Sequence, residues 1–223
     1  MPASAQRLER STFLTDLKHG WGEVRSRKWV WVSILNFMVF QLLALPAVFV
    51  LGPFIANTSL GGASAWAMIL AAGGVGAVVG DIAAINIELE RPLKTAYLTM
   101  LLAVPLLLAL ALTPPMWVIS AAAFMWGISM TFFNTFWFTV LQERVPDESL
   151  SRVSSYDWVG STALRPLGFA LIAPVAKAIG FAETLIGIAV VVASVELVTA
   201  FTPSVAGIRR AAADDRPEIE IRA

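Results

Sequence analysis

Six stretches of apolar residues, each long enough to cross a bilayer, constrain this chain more than any other feature. We name them segments A to F, and they cover about residues 29–53, 65–87, 95–113, 116–140, 154–177 and 181–203. A membrane-crossing helix needs roughly 20 mostly apolar residues, because its backbone polar groups must be hydrogen-bonded within the helix. The sequence therefore predicts an all-α, polytopic membrane protein with six transmembrane helices.

Composition excludes several other classes of protein. Hydrophobic residues make up 57% of the 223 residues and charged residues 14%, whereas soluble chains have about 25% charged residues. The charges of sixteen basic and sixteen acidic residues cancel, so the protein has no net positive charge to attract nucleic acid. The chain has no cysteine and one histidine, His19, and lacks the motifs of hydrolases and nucleotide-binding enzymes. An intramembrane enzyme would have only carboxylates and one arginine for acid–base chemistry, so we predict no enzyme, no metal and no cofactor.

Basic residues predict the orientation of the chain. Fourteen of the sixteen Lys and Arg residues lie before segment A, in spacers B–C and D–E, or after segment F, whereas Lys177 alone lies on the opposite side. Such residues accumulate in cytoplasmic loops, so both termini are predicted to be cytoplasmic and the protein to lie in the inner or plasma membrane of the cell. We predict a cytoplasmic segment over 1–28, a six-helix domain over 29–203 and a disordered cytoplasmic tail over 204–223. No cleavable signal peptide is recognisable.

Residues 13–28 have apolar side chains on one helical face and basic side chains on the rest. This pattern is typical of a helix that lies on an anionic membrane surface. A second interpretation, a basic flank that only sets the topology, is equally open.

Charged side chains inside the segments are candidate functional groups, because they are costly in a bilayer and need water or a partner. Arg165 is the deepest, at about 16 Å from the cytoplasmic end of segment E at a rise of 1.5 Å per residue. It either lines a cavity for an anionic or acidic group, or forms a structural ion pair with Glu196 or Asp81. Asp81 and Asp157 are interpreted as helix caps or as partners of Arg91 and Arg152.

Uncharged candidates lie in segments A and D. Trp126, Phe133 and Trp137 fall near one face of segment D, with Asn134 among them, and this face either packs in the core or binds an apolar ligand. In segment A, Asn36 and Gln41 point to different sides. One of them is expected to line a cavity and the other to bond to a neighbouring helix.

Two segments have features that predict their packing. In segment B, Gly76 and Gly80 form a G-x-x-x-G step, which predicts close helix packing or a sliding contact. Segment C is rich in Leu and Ala on every side. It is predicted to lie at the periphery, facing lipid, with a kink near Pro105.

The spacer between segments D and E carries a motif that resembles a known family. Its sequence, LQERVPDESLSRVSSYDWVGSTALRPLG, is similar to the turn between the tenth and eleventh helices of the major facilitator superfamily, in its enterobactin-exporter-like or transmembrane secretion effector branch. The matching positions are Gln142, Arg144, Val145, Pro146, Asp147, Ser151, Arg152, Val153, Pro166, Leu167 and Gly168. The loop GDIAAINIELERPLK departs from the family's basic signature, since it keeps only Arg91 and Lys94.

The resemblance implies the C-terminal six-helix half of a proton-coupled exporter of small amphipathic molecules that works by alternating access. The partners that it implies are the lipid bilayer, a small-molecule substrate, and either a second six-helix half or another copy of this chain. The alternative is a truncated, non-transporting half or a membrane scaffold or regulatory protein.

Overall fold

The computed structural model describes residue 22 and residues 24–210. Within them it contains six helices long and apolar enough to cross a membrane and no strand, so the all-α, six-span prediction is confirmed. The helices are α1 (Lys28–Ser59), α2 (Ala63–Asn86), α3 (Pro92–Leu112), α4 (Met116–Arg144), α5 (Asp147–Ile179) and α6 (Phe181–Phe201).

The largest differences from the predicted bounds are at α1, which continues to Ser59 rather than 53, and at α5, which begins at Asp147 rather than 154. Asp147 and Glu148 occupy the first turn of α5. Acidic side chains stabilise a helix N-terminus, so the helix begins in polar sequence that an apolar-run criterion leaves out. The interfacial helix predicted over 13–28 lies largely outside the described residues.

Prolines interrupt three of the six helices. Proline has no N–H to bond to the carbonyl four residues earlier, and its ring clashes with that carbonyl. A 3₁₀ turn, Leu101–Ala103, comes before Pro105 in α3, where the sequence predicted a kink, and a π-helical turn, Ala47–Leu51, lies between Pro46 and Pro53 in α1. In α5 the regular helix is interrupted at Ala163 and Leu164, just before Pro166.

The first three helices (α1, α2 and α3) and the last three (α4, α5 and α6) interlock. Helix α2 packs along α4, and α5 packs along α1, so each group contributes one helix to the other. Helix α3 lies between α4 and α6, and α6 also contacts α1. This exchange makes the bundle one unit, with no boundary between α3 and α4.

Burial is uneven among the helices. In the most apolar stretch of α2 and of α5, 22% of the residues are buried, against 44% in α1, α3 and α6. Segment C was predicted to lie at the periphery, facing lipid, and one face of α3, including Tyr97 and Leu106, is fully buried against the bundle. A Leu/Ala surface packs against protein or lipid equally well, so composition alone does not decide between them.

Glycines allow α2 and α4 to approach until their backbones touch. A Cβ atom on Gly76 would overlap the carbonyl oxygen of Phe124, and one on Gly127 would overlap that of Gly73. The hydroxyl of Thr131 donates a hydrogen bond across the contact to the Ala77 carbonyl at 2.7 Å. The close packing predicted for the G-x-x-x-G step is thus present, and α4 is its partner.

Residues 203–210 form what we call the C-terminal strap. It begins with a single helical turn, α7 (Pro203–Ala206). The Arg144 guanidinium at the end of α4 donates to the Arg209 carbonyl, and the Arg210 amide donates to the Glu90 carbonyl at 3.1 Å. The tail was predicted to be disordered from residue 204. Its part up to residue 210 makes these contacts with α4 and the α2–α3 loop, and the rest lies outside the described residues.

Candidate functional site

Polar side chains form a buried layer through the interior of the bundle, which we call the polar layer. They come from five of the six helices, and each is at most 8% exposed. The polar layer comprises Ser33, Asn36, Tyr97, Trp137, Asp157, Ser161, Glu196 and Thr199.

Glu196 is the most enclosed acidic side chain of the layer, with 1% of its surface exposed. The Asn36 amide donates to its Oε2 at 3.2 Å and to the Thr199 hydroxyl at 3.1 Å. Within residues 24–210 no Lys or Arg forms an ion pair with Glu196. A buried carboxyl group with one amide donor and no cation is costly to ionise.

Asp157 is the second buried carboxyl group, and it lies on α5. The Trp137 indole N–H donates to its Oδ2 at 2.9 Å, and the Ser161 hydroxyl donates to its Oδ1 at 3.1 Å. These bonds connect α4 to α5 and satisfy both carboxyl oxygens. The sequence had suggested Arg152 or a helix end as its partner, and the aromatic partner was not expected.

Tyr97 was missed by the sequence analysis. Its side chain is fully buried on α3. Its hydroxyl makes no hydrogen bond of normal length and angle among the described residues, but the Ser33 side chain on α1 lies near it, as do the Glu196 and Asp157 carboxyl groups. The signal was present in the sequence, because Tyr97 is one of two tyrosines in the chain and the one inside segment C.

Aromatic rings pack around the polar layer. Phe37 lies edge-on to Phe133 at 4.9 Å and to Trp137 at 5.9 Å between ring centroids. Phe133 also contacts Tyr97 at 4.9 Å. The face of α4 that was proposed either to bind a ligand or to pack is therefore packed at Phe133 and Trp137, whereas Trp126 is half-buried against Phe49.

Arg165 lies apart from the polar layer. It is the first residue after the interruption of α5, its side chain is exposed, and its guanidinium lies 5.8 Å from the centre of the Phe169 ring. The ion pair with Glu196 or Asp81, one of the two expected interpretations, does not form among the described residues. Nearness in depth along the membrane normal therefore did not bring these side chains into contact.

The remaining candidates occupy separate positions. Asp81 is exposed on α2 and accepts a hydrogen bond from the Thr135 hydroxyl at 3.3 Å. Asn134 is exposed on α4. Gln41 is half-buried, and its Oε1 has no hydrogen-bond partner within residues 24–210. Over that same range, no cluster of three or more His, Cys, Asp or Glu side chains could hold a metal ion.

The predicted turn motif forms the junction of α4 and α5. Its polar members are all exposed, while Val145 and Val153 between them are buried. Pro146 comes directly before the first residue of α5, a position where its missing N–H costs nothing. The exposed members are Gln142, Arg144, Pro146, Asp147 and Arg152.

Six apolar spans around a buried, hydrogen-bonded polar layer define a polytopic helical membrane protein. A family model described as Major Facilitator Superfamily matches residues 2–169, about three quarters of the chain. The chain therefore belongs to the major facilitator superfamily, whose members are membrane transporters and not enzymes. Comparisons with curated proteins and with solved structures give no significant match.

Proposed function

We propose that this chain is part of a proton-coupled exporter of small amphipathic molecules that works by alternating access. The observation that carries the proposal is the Glu196 carboxyl group, buried where α6 meets α1 with no cation beside it among the described residues. Loss of its proton while it remains buried would leave a charge in apolar surroundings, so proton release and access of water are expected together. Proton binding is thereby linked to the packing of α6 against α1.

A second six-helix bundle is part of this proposal, whether in the same chain or in another. Alternating access needs two bundles that move against each other around a central site. Helices α2 and α5 are the least buried of the six, and their exposed apolar side chains include Val75, Val78, Trp158 and Leu167. These two faces are where we place the second bundle. We also propose that both termini lie in the cytoplasm and that the membrane is the cell membrane.

Arg165 is our candidate for substrate contact. It is exposed at the interruption of α5, where the helix can bend, and it has no acidic partner among the described residues. A guanidinium beside an aromatic ring suits an amphipathic molecule with an anionic group. Gln41, Asn134 and Asp81 remain additional candidates for contact with substrate.

The test compares Glu196→Gln with Glu183→Gln, a change of the same type at an exposed position of the same helix. The full protein is reconstituted in vesicles with an imposed pH gradient, and efflux of a fluorescent amphipathic dye and internal pH are recorded together. We expect Glu196→Gln to fold normally, because glutamine keeps the size of the side chain and an acceptor for Asn36. We expect it to lose at least tenfold of the gradient-driven efflux, whereas Glu183→Gln retains it.

The outcomes separate the alternatives. Wild-type efflux with unchanged pH dependence in Glu196→Gln would show that Glu196 carries no proton in transport. If the wild-type protein moves neither dye nor protons, with or without a second bundle, the scaffold alternative is favoured. For Arg165, we expect Arg165→Leu to change the free energy of unfolding by less than about 0.5 kcal/mol, because the side chain is exposed, and to reduce efflux of anionic dyes selectively.

A further inference from the structure

A narrow apolar groove runs along the outside of the bundle between α1, α5 and α6. Its volume is about 380 Å³, and apolar side chains such as Leu43, Leu171 and Ile188 line it. The polar side chains of its lining are Glu183 and Thr184, both in the first turn of α6. The groove is separate from the polar layer. One end of it, at Leu167, adjoins the α5 face where we place the second bundle, and the proposed transport mechanism does not use the rest.

The dimensions of the groove identify the kind of molecule that fits. The lining residues of α5 extend from Leu167 to Ile179, which is about 18 Å at 1.5 Å per residue. The hydrocarbon of one leaflet is about 15 Å thick, half of the bilayer core. The groove therefore extends over about the depth of one leaflet, and its lining is apolar except at the α6 end. An extended hydrocarbon chain matches both this length and this lining.

Two glycines shape the groove. At Gly168, α5 lies against the backbone of α1, because a Cβ there would overlap the Leu42 carbonyl oxygen. Gly187 on α6 has the opposite surroundings: a Cβ there would meet no atom within 4 Å. The missing side chain at 187 therefore leaves open space within the groove rather than allowing two helices to pack closely.

The charge at the α6 end of the groove determines which lipid headgroup can bind there. Thr184 uses its hydroxyl within α6, donating to the Gly180 carbonyl at 2.6 Å, whereas the Glu183 carboxylate is exposed. Among the described residues, no basic side chain lines the groove. Lys177 lies two residues before Ile179 on α5 and therefore points about 200° away from it around the helix. An ammonium headgroup is thus matched to this end of the groove, and an anionic headgroup is not.

We propose that this groove binds one acyl chain of a phosphatidylethanolamine-type lipid, with the lipid ammonium group at Glu183. The lipid would lie in the leaflet that contains the α5–α6 turn. Such a lipid covers apolar surface of α1, α5 and α6 at once, so it is held as part of the structure rather than exchanged with the surrounding bilayer.

The test fills the groove without disturbing the fold. Wild-type protein, Gly187→Leu and the control Gly74→Leu are placed in nanodiscs of equimolar phosphatidylethanolamine and phosphatidylglycerol with identical chains. Gly74 is also an exposed membrane glycine, and a Cβ added to it would likewise meet no atom within 4 Å, but it lies on α2, away from the groove. The proteins are then released into mild detergent, and native mass spectrometry counts the phospholipids that each retains.

We expect wild type and Gly74→Leu to keep one phosphatidylethanolamine molecule. Gly187→Leu should keep it roughly tenfold less often, because the new side chain would displace about two methylene groups of the lipid chain, and their burial is worth about that factor in affinity. Glu183→Gln should retain a lipid but lose a few-fold of the preference for phosphatidylethanolamine. Equal retention by Gly187→Leu and wild type, with the melting temperature unchanged, would overturn the site. Equal retention of the two lipid types by the wild-type protein would overturn the role of Glu183.

Discussion

Among the contacts that join the first three helices to the last three, α2 packs against α4, and α1 packs against α5. These two contacts are built differently. Neither α2 nor α4 contains a proline, and their backbones touch at Gly76 and Gly127. Both α1 and α5 contain prolines and are interrupted, and Gly168 of α5 lies directly against the α1 backbone.

The difference shows how a proline can create a helix contact. Pro46 has no N–H for the carbonyl of Leu42, four residues earlier, and that carbonyl is the one against which Gly168 packs. We infer that the α2–α4 contact is fixed, and that the α1–α5 contact can bend at its interruptions when the transporter changes conformation.

The largest effect is expected when the fixed contact is broken. In Gly76→Ala the new Cβ overlaps the Phe124 carbonyl, and neither straight helix can yield locally. We expect a loss of about 3 kcal/mol in the free energy of unfolding, at the upper end for overpacking, measured by denaturant titration in mixed micelles. The control Gly74→Ala adds a Cβ in open space and should be neutral or stabilising by up to about 1 kcal/mol. A small loss in Gly76→Ala would mean that α2 and α4 can separate.

A smaller loss is expected when the same change is made at the bendable contact. Gly168→Ala places a Cβ against the Leu42 carbonyl, but the interruptions at Ala163–Leu164 and at Ala47–Leu51 allow both helices to move. We expect a loss of about 1 kcal/mol in the same titration. If Gly168→Ala costs as much as Gly76→Ala, the proposed difference between the two contacts is wrong.

The smallest effect concerns one hydrogen bond across the fixed contact. Thr131→Val removes the bond to the Ala77 carbonyl and should cost about 0.6 kcal/mol, the average for hydrogen bonds between membrane helices. Thr139→Val is the matched control, because its hydroxyl bonds within α4 to the Thr135 carbonyl and it should change stability less. Equal costs in the two variants would show that the interhelical bond adds nothing specific.

Much of the fold could be predicted because the order of apolar and charged residues in the sequence determines which segments cross the membrane. Six spans, their order and the kink near Pro105 follow from residues that are neighbours in sequence. The G-x-x-x-G step at Gly76 and Gly80 also predicted close packing, but not that α4 is the partner. That choice depends on which face of each helix turns inward, and a one-dimensional pattern does not contain it.

The candidate site was harder to predict for the same reason. Depth along the membrane made Glu196 and Asp81 the carboxylates nearest to Arg165, yet depth has no rotational component. Glu196 is buried inside the bundle, whereas Asp81 and Arg165 are exposed on α2 and α5. Asn36 was recognised as polar, but its bond to Glu196 required the packing of α1 on α6. Tyr97 was overlooked because its neighbours in segment C are apolar, although its hydroxyl is a buried polar group.

The C-terminal strap has a consequence for biosynthesis. The residues that it joins, Glu90 and Arg210, are 120 positions apart in the sequence, so ribosomes adding 5–20 residues per second need roughly 6–24 s to make the second after the first. During that time the α2–α3 loop is already made, but the strap that it binds is not. The ends of α2 and α3 that adjoin this loop are therefore open to chaperones and proteases until the last helix has been inserted.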